Sequence, residues 1–271
     1  MKQTYPILNP LAPPVARRGS CALAVMIKVP RPGESKTRLV PPLAPDEAAE
    51  LSVCFLRDTA ANIAGVGSQA GTEGVAVYTP LGAEAFLNGL LPETFKLLAQ
   101  RGEGLGERLH YATEDLLAAG YESLCLINSD SPTLPPALLR AAVSALARDG
   151  DRVVLGGAND GGYYLIGLKQ AHRNLFHDVD WSTASVLSQT IERANEIELE
   201  VELLIPWYDV DDATTLGRLC DELFVSNGRG SARDGLVRYE APHTTEYLAR
   251  LFKAEGRQRL WTANRSISSG E

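Results

Sequence analysis

The sequence predicts a three-layer α/β fold built on a mostly parallel sheet. Short apolar runs of strand length recur at residues 21–27, 74–79, 123–128, 152–156, 163–168 and 201–205. Segments with helical apolar spacing lie between most of them. Regular alternation of the two element types is the pattern of a layered α/β fold.

The elements follow in order. Residues 1–19 carry Pro6, Pro10, Pro13 and Pro14 and then Arg17-Arg18-Gly19, which reads as an irregular leader ending where the first strand begins. The run Cys21-Ala22-Leu23-Ala24-Val25-Met26-Ile27 reads as a buried strand. Pro30, Pro32 and Gly33 then break the chain into a loop. Pro45-Asp46-Glu47 opens a helix with acidic residues in its first turn. Leu51, Cys54, Phe55 and Ile63 recur along it at helical spacing, and Gly65 and Gly67 are expected to stop it. Residues 74–79 form the second strand. A short helix from about Ala83 and a strand at 95–98 are the reading of the next stretch. Gly102-Glu103-Gly104-Leu105-Gly106 turns into a helix reaching about Ala119. Residues 123–128 are the clearest buried strand, with Asp130 just past its end. Pro135 and Pro136 start the next helix, as prolines in a first turn do. Strands at 152–156 and 163–168 flank a glycine-rich loop. A helix is expected from Thr183 to about Asn195, a strand at 201–205, and a helix from Asp212 to Phe224. Ser226-Asn227-Gly228-Arg229-Gly230-Ser231 reads as a linker. Thr244 to about Ala254 has a helical pattern with Tyr247, Leu248, Leu251 and Phe252 on one face, for the body or for a second copy of the chain. Residues 262–271 read as a frayed end. The expected organisation is a leader at 1–19, a catalytic body at 20–225 and a linker with a helical tail at 226–271.

Composition narrows the function. The chain has 271 residues, 45% hydrophobic content and a net charge of -8, with a sequence pI of about 5.2. That balance argues against a general nucleic-acid binder. No apolar run approaches the ~20 residues of a membrane span, and no charged-then-apolar signal pattern opens the chain, so a cytoplasmic protein is expected. Cys21, Cys54, Cys125 and Cys220 are scattered without a C-x-x-C pair and read as buried thiols.

Against this acidic background one segment is basic. Lys28, Arg31, Lys36 and Arg38 fall within eleven residues of the loop after the first strand. A basic loop at the carboxyl end of a first strand is where open α/β sheets bind phosphorylated ligands. Gly33 lets backbone N–H groups approach an anion and the cations neutralise it. The spacing is neither a Walker A loop nor a dinucleotide-binding G-x-G-x-x-G. Asp130, in Asn128-Ser129-Asp130-Ser131-Pro132, lies where the ligand crevice of such a fold forms. A hard divalent cation uses one or two carboxylates together with substrate phosphates. In an extended Asp209-Val210-Asp211 both carboxylates point to one face, so one of them can share a metal with Asp130; Asp212 reads as a helix N-cap. Asp160, Gly161 and Gly162 form either a sugar- or acceptor-binding loop or a hairpin turn. Trp181-Ser182-Thr183 offers an aromatic wall and an N-cap hydroxyl. His177 and Asp180 fit a capped surface loop, and His110, His172 and His243 lack metal-ligand spacing. Ser129 and Ser131 lack the G-x-S-x-G context of a nucleophilic serine.

Taken in order, several of these segments resemble a known family. They are Lys28-Val29-Pro30-Arg31-Pro32-Gly33-Glu34-Ser35-Lys36-Thr37-Arg38-Leu39, Ser129-Asp130-Ser131-Pro132, Asp160-Gly161-Gly162-Tyr163-Tyr164-Leu165-Ile166-Gly167-Leu168, Trp181-Ser182-Thr183 and Asp209-Val210-Asp211. Over roughly residues 20–222 the chain resembles the radical-SAM/selenodomain-associated transferases, GT-A-like members of the nucleotide-diphospho-sugar transferase superfamily. It is distantly similar to phospholactate guanylyltransferase and the molybdenum-cofactor guanylyltransferases. Two positions depart from the family: Asn128 stands where Gly is usual, and Gly104 stands where Asp precedes Leu-Gly-x-Arg.

The resemblance implies a three-layer GT-A (Rossmann-like) fold with a mixed, mostly parallel sheet. It implies a basic loop holding phosphates and Mg²⁺ or Mn²⁺ held by Asp130 with Asp209 or Asp211. The expected activity is nucleotidyl transfer from a nucleoside triphosphate to a small phosphorylated acceptor. In that scheme Lys36, Arg31 and Arg38 bear on the phosphates, and Lys28, Gly33, Gly161, Gly162, Trp181, Ser182 and Thr183 contribute to substrate binding. The alternative is glycosyl transfer from a sugar nucleotide, with Asp160 orienting the sugar or acting as base. A third reading is a nucleotide-binding protein without turnover.

Overall fold

A computed structural model describes residues 4–13, 17–225 and 235–261. The linker expected at 226–231 and the frayed end at 262–271 lie outside the described residues. The chain divides into two compact units: Met1–Val29 with Ala60–Asn128 and Pro136–Tyr208, and Pro30–Thr59 with Ser129–Pro135 and Asp209–Glu271.

The first unit holds a seven-stranded sheet. In chain order its strands are β1 (Arg17–Lys28), β2 (Thr72–Thr79), β3 (Lys96–Ala99), β4 (Tyr121–Ile127), β5 (Arg152–Ala158), β6 (Tyr163–Leu168) and β7 (Glu200–Trp207). In space they run β3-β2-β1-β4-β6-β5-β7. Every neighbouring pair is parallel except the two that involve β6, which runs antiparallel to both β4 and β5. The mixed, mostly parallel sheet expected from the sequence is therefore present, and the single reversed strand comes from the β5–β6 hairpin.

Helices cover both faces of this sheet. Strand residues alternate between faces, so Leu124, Leu126, Ile166 and Val153 share one. There they join a buried cluster with Leu109, Ala112 and Leu116 of α3 (Leu105–Ala118) and Ala194 of α5 (Val186–Glu196). The opposite face carries Cys125, Val154 and Gly167. A Cβ on Gly167 would lie 3.1 Å from Leu146 of α4 (Pro136–Leu146), so the missing side chain lets that helix approach. Helix, sheet and helix make the three layers. Cys21, Cys125 and Cys220 are buried thiols, as expected, and Cys54 is half-buried.

Three expectations need correction. The leader is tied down at its start: Tyr5 is buried, its hydroxyl donates to the Leu91 carbonyl at 2.7 Å and accepts from the Leu91 amide at 3.1 Å. Ile7 bridges Leu97 of β3 in parallel, so the segment continues the sheet past its edge. Gly65 and Gly67 do not stop α1 (Pro45–Ala70), which runs through both. A helical glycine costs about 1 kcal/mol, and full burial of Ile63 and Val66 on the same helix outweighs it. At Gly67 the absent Cβ also leaves room for the Thr72 carbonyl, which it would meet at 3.2 Å. Finally, α5 begins at Val186 rather than Thr183: Ser182 is left-handed at φ 65 and the Thr183 hydroxyl bonds back to the Asp180 carbonyl, so the chain turns before the helix starts.

The second unit contains a 3-10 turn at Thr37–Leu39, the part of α1 up to Thr59, and the helices α6 (Ala213–Phe224), α7 (Pro242–Glu255) and α8 (Gln258–Trp261). The first unit also holds a four-residue helix, α2 (Glu84–Leu87), and a 3-10 turn at Arg173–Phe176. Helix α7 lacks a side-chain cap of its own. The fully buried Asp58 of α1 supplies one, accepting from the amides of His243 at 3.0 Å and Thr244 at 2.8 Å. Burial still leaves the Asp58 carboxyl above its usual range. Tyr247 and Leu248 are buried, the Tyr247 hydroxyl donates to the Glu47 carbonyl, and Phe252 meets Phe224 edge-on at 4.9 Å. The apolar face of the tail helix is thus covered within its own chain, which answers whether it packs on the body.

Candidate functional site

Within the second unit, Asp130 and Asp211 meet one lysine. The Asp130 carbonyl accepts the Val210 amide at 2.9 Å, which ties the segment after β4 to the segment after β7. Val210 is fully buried between two half-buried aspartates. This alternation is the one expected of an extended Asp-Val-Asp, with both carboxylates away from the core. Carboxylate oxygens of Asp209 and Asp211 lie within 4.8 Å of one another. The segment is locked from its far end as well. Asp212 is the N-cap of α6 in a capping box with Thr215, and the Thr215 hydroxyl accepts the Asp211 amide at 3.0 Å. The Asp212 carboxyl is held below its usual range, chiefly by the Thr215 amide.

Lys36 reaches into this cluster. Its ammonium lies 2.7 Å from Asp130 Oδ1 and 2.6 Å from Asp211 Oδ1, and it donates to the Val210 carbonyl at 2.9 Å. The Lys36 side chain is 8% exposed, against 36% for Asp130 and 26% for Asp211. Burial alone would lower the Lys36 pKa, but the fields and hydrogen bonds of Asp130 and Asp211 outweigh it and raise the pKa. The second Asp211 oxygen takes the exposed Arg38 guanidinium at 3.1 Å. Of the four loop cations, Lys36 and Arg38 are therefore engaged by Asp211. Arg31 is exposed, its amide donating to Ser35 Oγ, and Gly33 sits at φ 75, where glycine is favoured. Lys28 is exposed in the first unit, at the end of β1. The spacing of the cation run did not reveal that Lys36 turns toward carboxylates.

A hard divalent cation suits this donor set. Asp130, Asp209 and Asp211 offer carboxylate oxygens, the ligands that Mg²⁺ and Mn²⁺ take. Next to Asp130, the buried Ser131 hydroxyl has no hydrogen-bond partner among the described residues, and an orphan of that kind marks a place where a further polar group is accommodated.

The other predicted site residues belong to the first unit and have local partners. Asp160 sits in the β5–β6 hairpin turn. Its carboxylate accepts the Gly162 amide at 2.9 Å, and the Ala158 amide donates to the Gly162 carbonyl at 2.9 Å. These bonds close the turn between β5 and β6, and Asp160 is exposed. Gly161 has φ 90, and a Cβ there would lie 2.1 Å from the Ala184 carbonyl oxygen. Trp181 packs edge-on to Tyr163 at 6.5 Å and against Gly106, where a Cβ would lie 2.5 Å from the indole nitrogen. Ser182 is exposed. Thr183 is not a helix cap: its hydroxyl donates to the Asp180 carbonyl at 2.7 Å and shapes the turn. His177 pairs with its neighbour Asp178 at the surface, and His172 with Asp151 at 2.7 Å. At Gly104, where the resembled family carries Asp, α3 has no side-chain cap; Glu107 instead accepts the Glu103 amide at 3.0 Å.

Residues 63–183 match the family model described as "Uncharacterized protein conserved in bacteria (DUF2064)". No curated protein matches the chain. A crystal structure from Desulfovibrio desulfuricans G20, provisionally assigned as a nucleotide-diphospho-sugar transferase, shares 29% identity, 90% coverage of this chain and 99% of that chain, with a TM-score of 0.72. A 4-diphosphocytidyl-2C-methyl-D-erythritol synthase from Anaerococcus prevotii DSM 20548 aligns at 8% identity over 73% of this chain and 95% of its own, with a TM-score of 0.47. Glucosyl-3-phosphoglycerate synthase from Mycobacterium tuberculosis, in complex with Mn²⁺ and UDP, aligns at 10% identity over 70% of each chain, with a TM-score of 0.44.

Proposed function

We propose that this chain, GT-A-like in fold, is a metal-dependent transferase acting on a nucleotide-activated substrate, and that its reaction is nucleotidyl transfer. The observation that carries the reading is the meeting of Asp130 and Asp211 on Lys36, with Arg38 on the other Asp211 oxygen and the Asp209 carboxylate beside Asp211, within one unit. Acidic groups for a hard cation and fixed cations for phosphate are the two requirements of phosphoryl chemistry.

In this reading an oxygen of a phosphorylated acceptor attacks the α-phosphorus of a nucleoside triphosphate. The bond from that phosphorus to the bridging oxygen breaks, and pyrophosphate leaves. The acceptor phosphate is already ionised at neutral pH, so no base is needed to activate it. What the protein must supply is positioning and charge neutralisation. Arg31 and Arg38 bear on the phosphates, with Gly33 giving backbone amides access to them. Mg²⁺ or Mn²⁺ held by Asp130 with Asp209 or Asp211 would neutralise oxygens of the transferred group.

Glycosyl transfer from a sugar nucleotide has separate support in the Desulfovibrio structure, whose assignment names that donor class. There the acceptor hydroxyl must lose a proton, which gives the exposed Asp160 a role that nucleotidyl transfer does not require. The products separate the two. The protein is incubated with nucleoside triphosphates or sugar nucleotides, Mg²⁺ or Mn²⁺, and a set of phosphorylated and hydroxylic acceptors, followed by ³¹P NMR. Metal-dependent pyrophosphate release that Asp130→Asn abolishes supports nucleotidyl transfer. Nucleoside diphosphate release from a sugar nucleotide supports the alternative. Tight binding with neither product would leave a nucleotide-binding protein without turnover.

A further inference from the structure

Resting on the reading of Asp130 and Asp211 as metal carboxylates, we propose that Lys36 is the resident counter-cation of that site and that a divalent cation must displace it to bind. The ammonium has three protons and three oxygen partners: Asp130 Oδ1 at 2.7 Å, Asp211 Oδ1 at 2.6 Å and the Val210 carbonyl at 2.9 Å. Its donors are saturated, and the side chain is 8% exposed. This is the environment of a bound cation rather than of a lysine held ready for an incoming anion.

The backbone supports the same conclusion. Lys36 has φ 50 and ψ 41, the left-handed region that a residue with a Cβ enters at a cost of about 1–2 kcal/mol. Strain of this kind persists only where the surroundings over-determine it. The three-oxygen cage does so here, and the Arg31 amide and Ser35 hydroxyl tighten the turn just before it.

Charge counting gives the consequence. A divalent ion added beside the Lys36 ammonium and the Arg38 guanidinium would set four positive charges against the three carboxylates Asp130, Asp209 and Asp211. Binding through Asp130 Oδ1 or Asp211 Oδ1 therefore requires the ammonium to leave. Leaving an 8% exposed cage is unfavourable unless the ammonium meets another anion, and a nucleotide phosphate is that anion. Lys36 thus makes the site bind metal poorly alone and well together with phosphate. It acts as a positioning residue that couples the two ligands.

The test is Mn²⁺ binding to the full chain without nucleotide, followed by the EPR signal of free Mn²⁺. The wild type, Lys36→Met, Lys36→Gly and Asp130→Asn are compared, with folding checked by circular dichroism. Lys36→Gly suits the left-handed backbone and keeps the test valid if the buried methionine prevents folding. Both Lys36 variants are expected to bind Mn²⁺ at least about tenfold more tightly than wild type, the scale of one charge-assisted contact. Mn²⁺ should also raise their melting temperature more than that of wild type. Unchanged or weaker affinity in both Lys36 variants overturns the inference. If wild type binds Mn²⁺, Asp130→Asn loses it and the Lys36 variants match wild type, the metal site stands and only the role of Lys36 falls. If no form binds Mn²⁺, the metal assignment and the inference fall together.

Discussion

Replacing Asp211 by Asn removes one of the two charges that hold the Lys36 ammonium while keeping the side-chain shape and one acceptor oxygen. Breaking a fully buried ion pair costs about 3–5 kcal/mol, whereas an exposed pair is worth about 1 kcal/mol or less. Lys36 is 8% exposed but Asp211 is 26% exposed, so the expected cost lies between, at about 1–3 kcal/mol. Asp130 stays in place at 2.7 Å, and a retained partner keeps the loss toward the lower half of that range. The Arg38 contact adds little, because the Arg38 side chain is 72% exposed; Arg38→Ala is expected to cost less than about 0.5 kcal/mol. The assay is urea unfolding with chelator present, on wild type, Asp211→Asn, Lys36→Met and the double variant. Groups in direct contact show coupling of about 0.5–3 kcal/mol in such a cycle, and about 1–2 kcal/mol is expected here from the same partial exposure. A coupling below about 0.5 kcal/mol would refute the argument, as would an Arg38→Ala cost equal to that of Asp211→Asn.

Three other outcomes follow from local geometry. Gly161→Ala places a Cβ 2.1 Å from the Ala184 carbonyl oxygen at φ 90, with backbone on both sides of the clash. It is expected to cost more than about 2 kcal/mol and to reduce hydrogen-exchange protection of the Leu187 amide, which donates to the Gly161 carbonyl at 2.8 Å. Gly106→Ala meets the Trp181 indole at 2.5 Å and the Phe176 carbonyl at 2.8 Å; a cost of about 1–3 kcal/mol and an altered near-ultraviolet tryptophan signal are expected, and an unchanged signal would count against the packing described. Glu47 supplies the pH dependence. Burial pushes its carboxyl up, but the Arg259 hydrogen bond, the Ala44 amide and the Arg259 charge more than reverse this and leave it depressed. A depressed carboxyl contributes stability above its ordinary value of about 4.3 and loses it as pH falls through the folded value. Amide protection in α8 should therefore fall on acidification below about pH 4, and Arg259→Ala should abolish most of that pH dependence.

The sheet was legible in the sequence because its central strands β4, β5 and β6 are buried on both faces. Runs such as Ser123-Leu124-Cys125-Leu126-Ile127 leave little choice of element, and the helices between them left the β5–β6 hairpin as the place for a reversed strand. The misreadings have physical causes. Tyr5 stands among prolines, and only its contact with Leu91, 86 residues away, shows that the leader is anchored. Gly65 and Gly67 look like stops because propensity is local, whereas the burial of Ile63 and Val66 is not. Thr183 follows a tryptophan and a serine in the manner of a cap, but the left-handed Ser182 turns the chain first.

The candidate site was legible in composition and obscure in wiring. Asp130, Asp209 and Asp211 are identifiable because each lies just after a strand, and the capping role of Asp212 follows from its position before α6. Four cations in one loop suggest that all four face an anion. Which of them instead faces a carboxylate depends on a partner 175 residues distant, Asp211, and on a backbone hydrogen bond between Val210 and Asp130. A cation run and an acidic cluster, read separately, indicate two ligands. Brought together, they neutralise one another in the absence of those ligands, which lets an acidic cluster and a basic loop coexist in one unit without uncompensated charge. Binding then becomes an exchange of partners, and the affinity for either ligand is set by what the other does to Lys36.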